Sequence, residues 1–363
     1  MNRTAKTRAA RPLAAVSRTL GLGLGLVLSL TLCLTVAACG GGGPGPATAP
    51  PASAHTATEQ AAVQNWLAKT NAMWTSDDFP ALDQITTAEM RDVYLAEKQQ
   101  ASLPANASRE AFQLSGLSIT VPCHTGRPAV FVAYGDTNVF DLGQALQPMA
   151  MVFEQDAGRW KLAAAVNHPN RGWPALCAQG APPAAPPAVP PADFAPQLAR
   201  VLTHALTGAA ETPATASPFA VNDFFTGSGS INAQAARQAG QNRRGGVSFT
   251  EWFTPTAHPT LALPLAGGRG FWMIGILIQR GTYTSAAGLR AKNWPDGNQV
   301  AMPRPAVVHR ETDAFITTYT AIAPLRSASR PASKPAGESA GRPAGSTLTL
   351  DGFFGWPLTA VAS

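Results

Sequence analysis

The sequence predicts an α+β fold: two tandem domains, each with helices packed on one face of a curved antiparallel sheet, behind a signal peptide and a flexible tether. Three observations carry this expectation. Each half opens on helical periodicity and continues in period-two alternation, and a Pro/Ala tract separates the halves. The expected boundaries are 1–38 for the signal, 39–57 for the tether, 58–179 for the first domain, 180–192 for the linker and 193–363 for the second domain.

In the first half, Val63, Trp66 and Leu67, with Met73 and Trp74 beyond them, recur at helical spacing. A second helix is expected over Ala88–Ala101, with Met90, Val93, Tyr94 and Glu97 as its repeating members. Strands follow: residues 117–121 alternate, 129–134 are apolar and β-rich, and 149–154 and 160–166 flank a short loop with Asp156 and Gly158, a hairpin signal. The tract Gly-Ala-Pro-Pro-Ala-Ala-Pro-Pro-Ala-Val-Pro-Pro at 180–191 favours polyproline II, a semi-rigid spacer.

The second half repeats this order. Phe194, Leu198, Val201, Leu202 and Ala205 form a helical stripe, and segments 219–225 and 231–238 are read as further helix. Strands are expected at 247–253, 260–265, 271–283 and 314–324. A Ser/Ala/Pro/Arg stretch at 326–346 reads as a loop, and 347–361 as a closing strand. Two short similarities join the halves: Gly116-Leu-Ser-Ile-Thr with Gly246-Val-Ser-Phe-Thr, and Trp160-Lys-Leu-Ala-Ala with Trp356-Pro-Leu-Thr-Ala. Both fall in the same order, which suggests tandem copies of one fold.

The N-terminus gives an address. Residues 1–38 hold five basic residues (Arg3, Lys6, Arg8, Arg11, Arg18), no acid, and an apolar run over 20–36. Val36-Ala37-Ala38-Cys39 resembles the lipobox of bacterial lipoproteins. That resemblance implies a diacylglyceryl group on the Cys39 thiol and cleavage between Ala38 and Cys39. The alternative is an uncleaved transmembrane anchor, but the run is short for a span of about 20 residues and its glycines weaken a helix. The expected location is therefore extracytoplasmic and lipid-anchored to a membrane. The Gly/Pro-rich tether after Cys39 carries no large apolar side chain to pack.

Removing the signal also removes the basicity. The chain has 27 Lys and Arg against 21 Asp and Glu, and loss of the five signal cations leaves 22 against 21. A nucleic-acid partner, which needs a basic domain face, is not expected. Cys123 and Cys177 remain as the mature pair. In an oxidising compartment they are expected to form a disulfide, two separate buried thiols being the alternative.

Helices followed by a curved meander ending in Gly158-Arg-Trp-Lys-Leu162 resemble the NTF2-like (or cystatin-like) superfamily. The whole layout resembles actinobacterial lipoproteins with a domain of unknown function, which bring no catalytic residues to carry over. The preponderance of Arg over Lys, 21 to 6, fits a GC-rich genome of that type. The NTF2-like resemblance implies a pocket between helices and sheet. Trp66, Trp74 and Tyr94 are its candidate lining in the first domain, with Trp252 and Trp272 in the second; plain core packing is the alternative for all five.

No catalytic motif emerges. G-x-S-x-G and H-E-x-x-H are absent, and the six histidines are scattered, so no catalytic or metal-ligating residue and no cofactor is expected apart from the lipid on Cys39. Gly267-Gly-Arg-Gly270 lies between two strand-like runs and reads as a hairpin turn rather than a phosphate cradle, which would need a helix after it. Asp77, Asp78 and Asp136 read as turn residues. The sequence thus points to a tethered, non-enzymatic binding or interaction module of the cell envelope, with an envelope protein or a small ligand as its partner. The alternative is a small-molecule-binding protein or enzyme with an NTF2-like pocket.

Overall fold

A computed structural model describes residues 54–76, 78–101, 111–123, 129–139, 146–167, 172–178, 185–206, 219, 246–289, 308–326 and 348–362. The signal, Cys39 and the tether up to residue 53 lie outside the described residues, as do 220–225, 231–238 and 327–347. No described helix is long and apolar enough to cross a membrane.

The fold is mixed α/β with antiparallel sheets and few helices. In the first half come α1 (Ala54–Ser76), a 3-10 turn (Phe79–Gln84) and α2 (Ala88–Ala101). Then follow β1 (Leu114–Thr120), β2 (Val130–Thr137), β3 (Gln147–Asp156) and β4 (Arg159–Asn167), paired in that order as a meander. The second half contributes α3 (Pro191–Leu206), β5 (Val247–Pro255), β6 (Leu261–Pro264), β7 (Phe271–Leu289), β8 (Val308–Ala323) and β9 (Thr349–Ala362). Its sheet runs β5-β7-β8-β9, with β6 continuing the β5 edge beside β7.

Local chemistry explains these elements. The buried side of α1 is Glu59, Val63, Trp66, Thr70 and Met73, spaced three or four apart. The β3–β4 hairpin closes through Ala157 and Gly158, both at positive φ (47° and 79°), as a two-residue turn of this kind requires. Gly116 and Gly246, which match in the sequence similarity, also both have positive φ (62° and 67°). Gly116 lies at the register shift inside the edge strand β1, and Gly246 immediately precedes the edge strand β5. The matching tryptophans, Trp160 and Trp356, lie on β4 and β9 at the opposite edges. Pro357 is tolerated because β9 is an edge strand and the pairing slips beside it.

Strand parity decides what each sheet face meets. Phe131, Phe153 and Leu162 are register partners facing the helices, where Trp66 meets Phe153 edge-on at 5.8 Å. Val132, Val152 and Ala164 occupy the opposite face and are fully buried. They belong to the same core as Trp272, Ile274, Ile276 and Ile316 of the second sheet. The even-numbered side of β7 therefore buries the back of the first sheet. Its odd-numbered side, with Phe271, Met273 and Leu277, packs under Phe194, Leu198 and Leu202 of α3. The layers run α1, first sheet, second sheet, α3, and α2 lies against both β4 and the edge strand β9 of the second sheet.

Among the described residues, directional contacts stitch the halves at three places. Cys177 forms a disulfide with Cys123 (Cα–Cα 5.3 Å), and its N–H donates to the Pro264 carbonyl at 2.8 Å. The second half of the Pro/Ala tract is docked against the end of β8: Ala188 N–H donates to Pro324 O and Arg326 N–H to Pro186 O, each at 2.8 Å. Val189 joins the α3 core. Third, His258 in the β5–β6 loop places Nε2 3.1 Å from Glu154 Oε2 on β3, while its backbone N–H donates to Glu89 Oε1 on α2 at 3.1 Å.

The disulfide closes a separation of 54 residues. Replacing both cysteines with serine is expected to lower the unfolding free energy by about 2–4 kcal/mol, read from urea denaturation. An unchanged midpoint would show that the bridge does not constrain the unfolded chain.

Candidate functional site

β7 and β8 run 19 and 16 residues, well beyond the usual 3–10, so they outrun the layers that cover them. Core packing on the even side fades at Ile278 and Ile316. On the odd side α3 reaches as far as Phe253, whose N–H donates to Thr203 Oγ1 at 2.9 Å. What remains is a free end of the second sheet, with a mainly polar even face and an odd face that mixes acids with Val247, Phe249 and Tyr283.

On the even face, Ser248, Thr250 and Trp252 of β5 lie opposite Thr284, Thr282 and Arg280 of β7. The last two rows continue to Thr312 and Ala314 of β8, and Arg310 stands beside Thr284. Ser248, Thr250, Arg280 and Arg310 are exposed; Trp252, Thr282, Thr284 and Thr312 are half-buried. The hydroxyls of Ser248 and Thr284 bond each other at 2.6 Å, and those of Thr282 and Thr312 approach to 3.5 Å. Arg280 Nη1 donates to Thr254 Oγ1 at 3.0 Å, which aims its guanidinium along the sheet. Among the described residues neither Arg280 nor Arg310 forms an ion pair.

On the odd face, Glu251 and Asp313 flank Gly281 from either side. A Cβ at Gly281 would overlap the Asp313 carboxylate, so only glycine leaves the acid room to lie across the strand. Gln279 Nε2 donates to Glu251 Oε1. Burial, reinforced by the charge of Asp313, pushes the Glu251 carboxyl up to about 7. Burial also lifts Asp313 to about 6, opposed by hydrogen bonds from backbone N–H groups of Gly281 and of Asp313 itself. At the tip, residues 246–248, 284–286 and His309 line an open cleft of about 650 Å³. There the His309 ring nitrogen Nδ1 lies 3.1 Å from the Ser285 carbonyl, and the Ser285 hydroxyl is buried with no hydrogen-bond partner among the described residues.

The aromatic residues singled out in the sequence are divided among three places. Trp66 and Tyr94 come together between the first two helices and the first sheet, 1% and 0% exposed, as packed core. Trp74 is half-buried, edge-on to Phe79 at 5.1 Å and to Phe112 at 5.8 Å. Trp272 is fully buried between the sheets. Only Trp252 stands at the free end. Gly267–Gly270 forms the β6–β7 turn, with Leu265 N–H donating to Gly270 O at 2.9 Å. Among the described residues no His, Cys, Asp and Glu group has the arrangement to hold a metal.

Sequence reasoning passed over the hydroxyl and arginine rows, the Glu251–Asp313 pair and the His258–Glu154 contact. The first had a visible signal: Ser-x-Thr-x-Trp over 248–252 and Arg-x-Thr-x-Thr over 280–284 are period-two runs whose exposed member is never aliphatic. Glu251 had a weaker one, an acid between Phe249 and Phe253 on the alternation that should be buried. His258 had none.

Both buried acid–base groups shift stability in one direction. The folded pKa of Glu251 lies above its ordinary value, so the folded state favours the protonated form. Stability is then highest in acid and falls as pH rises from about 4.5 to 7. For His258, burial lowers the imidazole pKa, but the Glu154 hydrogen bond and charge, with Glu89, outweigh it and hold it above 6.5. Its contribution is complete below 6.5 and lost as pH rises through the folded value. Glu251→Gln is expected to stabilise the protein at pH 8 by on the order of 2 kcal/mol and to flatten the urea-midpoint profile below pH 7. His258→Gln should cost more at pH 6 than at pH 8. Parallel wild-type and variant profiles would refute both assignments.

No protein-family model matches the chain, and no curated protein or solved structure matches it either.

Proposed function

We propose that the chain is an exported lipoprotein, anchored by diacylglycerol on Cys39, whose folded body is a non-enzymatic binding module of the cell envelope acting through the free end of its second sheet. The observation that carries the binding reading is the even face of β5, β7 and β8. There hydroxyls, one tryptophan and two arginines without an ion pair among the described residues stand in register on a partly uncovered sheet. The lipobox-like Val36–Cys39 sequence supports the anchor, and the Cys123–Cys177 disulfide supports export into an oxidising compartment. Two NTF2-like copies packed back to back are the architecture we favour, supported by the equivalent edge positions of the matched glycine and tryptophan segments.

A second reading, an enzyme or small-molecule binder, is supported by Glu251 and Asp313. Two adjoining buried carboxyls held near neutrality can pass a proton at physiological pH. Under that reading Glu251→Gln abolishes turnover or ligand binding, whereas under the binding-module reading it leaves attachment to the envelope intact.

The anchor is tested by mass spectrometry of the membrane-extracted protein. The expected result is an N-terminal Cys39 carrying diacylglycerol, and release of a Cys39→Ala variant from the membrane fraction. An unmodified N-terminus upstream of residue 39 would overturn the lipoprotein assignment.

A further inference from the structure

We infer that the ligand of the free sheet end is an acidic polysaccharide, a sugar chain bearing carboxylate or phosphate groups, laid across the even face of β5, β7 and β8. The inference rests on the binding-module reading and assigns its ligand.

Charge complementarity selects the occupant. The ionised side chains that the even face presents at this end are Arg280 and Arg310, and among the described residues neither forms an ion pair. The neighbouring acids Glu251 and Asp313 point to the other face of the sheet, so they cannot neutralise the arginines by contact. A guanidinium fork matches a carboxylate or phosphate with two parallel hydrogen bonds. A bare polyanion would use the arginines alone. The remaining groups suit a sugar: Thr250, Thr282, Thr284 and Ser248 offer hydroxyls that both donate and accept, and Trp252 offers a flat apolar ring beside Arg280 for the C–H face of a pyranose.

The geometry is pre-organised. Neighbouring strands lie about 4.8 Å apart and alternate residues roughly 6.8 Å apart, so the face is a regular grid roughly 13 Å long from Trp252 to Ser248. β-branched threonines hold few rotamers, which keeps the ordering entropy on binding low. A second copy of the chain is a poor occupant, because a two-fold contact would set Arg280 and Arg310 against their own kind. A phospholipid surface would draw on the arginines at about 1 kcal/mol each and leave the hydroxyl grid unused.

The test measures binding of the detergent-solubilised, full-length lipoprotein to three polymers of matched length: polygalacturonate, neutral dextran and inorganic polyphosphate. Polygalacturonate is expected to bind, dextran at least tenfold more weakly, and polyphosphate more weakly than polygalacturonate. Arg280→Gln with Arg310→Gln is expected to reduce polygalacturonate affinity about tenfold or more, and Trp252→Ala roughly three- to tenfold. Thr282→Val, which keeps shape and β-propensity, reports on the hydroxyls if a variant folds poorly. Melting curves of each variant separate lost binding from lost structure.

Equal affinity for polyphosphate and polygalacturonate would reduce the face to an electrostatic patch and overturn the sugar assignment. So would no binding to polygalacturonate, or a dimer in sedimentation that the double arginine variant dissociates. Those outcomes leave the wider reading to its own measurement. If wild type and the double arginine variant, both given the same lipase treatment, stay in envelope fractions equally, the binding face itself is refuted.

Discussion

Everything in this fold follows from the mutual burial of two sheets through one side of β7. Trp272, Ile274 and Ile276 point into the core shared with the first sheet, while Phe271, Met273 and Leu277 point under α3. A strand buried on both sides has no slack in register. A slip of one residue would carry every side chain to the wrong layer. The same constraint fixes the outer ends of the strands: once Ile278 faces the first sheet, Arg280, Thr282 and Thr284 must share its face, and Gly281 must lie between the two carboxyls.

The stitching works with that constraint. Hydrophobic burial is non-directional and would tolerate some rotation of one sheet over the other. The Cys177–Pro264 hydrogen bond, the docked Pro186–Ala188 segment and the His258–Glu154 pair are directional and set the relative position. The tract that composition marks as a spacer therefore acts, in its second half, as a strap. Its prolines present carbonyls but no N–H, and Pro186 O accepts from Arg326 while Ala188 donates to Pro324.

Much of the secondary structure was legible in the sequence, because it is written in local periodicity. The α2 range is the one the periodicity predicts, and each expected strand is found with its ends displaced by a few residues. The β3–β4 hairpin was readable from Asp156 to Arg159, and the disulfide from the cysteine count. The packing of the halves was not readable. Period two says that a strand has two faces, but not which layer each face will meet. Trp66, Trp252 and Trp272 look alike in sequence, yet one sits under the helices, one at an open sheet end and one between the sheets. The His258–Glu154 contact spans 104 residues and joins two loosely patterned positions, so nothing local announces it.

The free end of the second sheet shows what long strands accomplish that a compact core does not require. Extending β7 and β8 past their covering layers leaves apolar burial unchanged and exposes backbone twist and side chains to water. The extension uses alternation to separate charge: Trp252 and Arg280 face one way, and their chain neighbours Glu251 and Gly281, with Asp313 beside them, face the other. Opposite charges on adjacent residues would normally collapse into surface ion pairs worth less than 1 kcal/mol. Here the sheet itself holds them apart. The arginines keep their full charge toward solvent, and the buried acids, lifted toward neutrality, hold less negative charge behind them than two ordinary carboxylates would. Lowering the pH protonates the acids first and leaves the arginines unchanged, so the field of the even face grows more positive in acid. Alternation, which set the packing of the core, thus also sets the electrostatics of the surface.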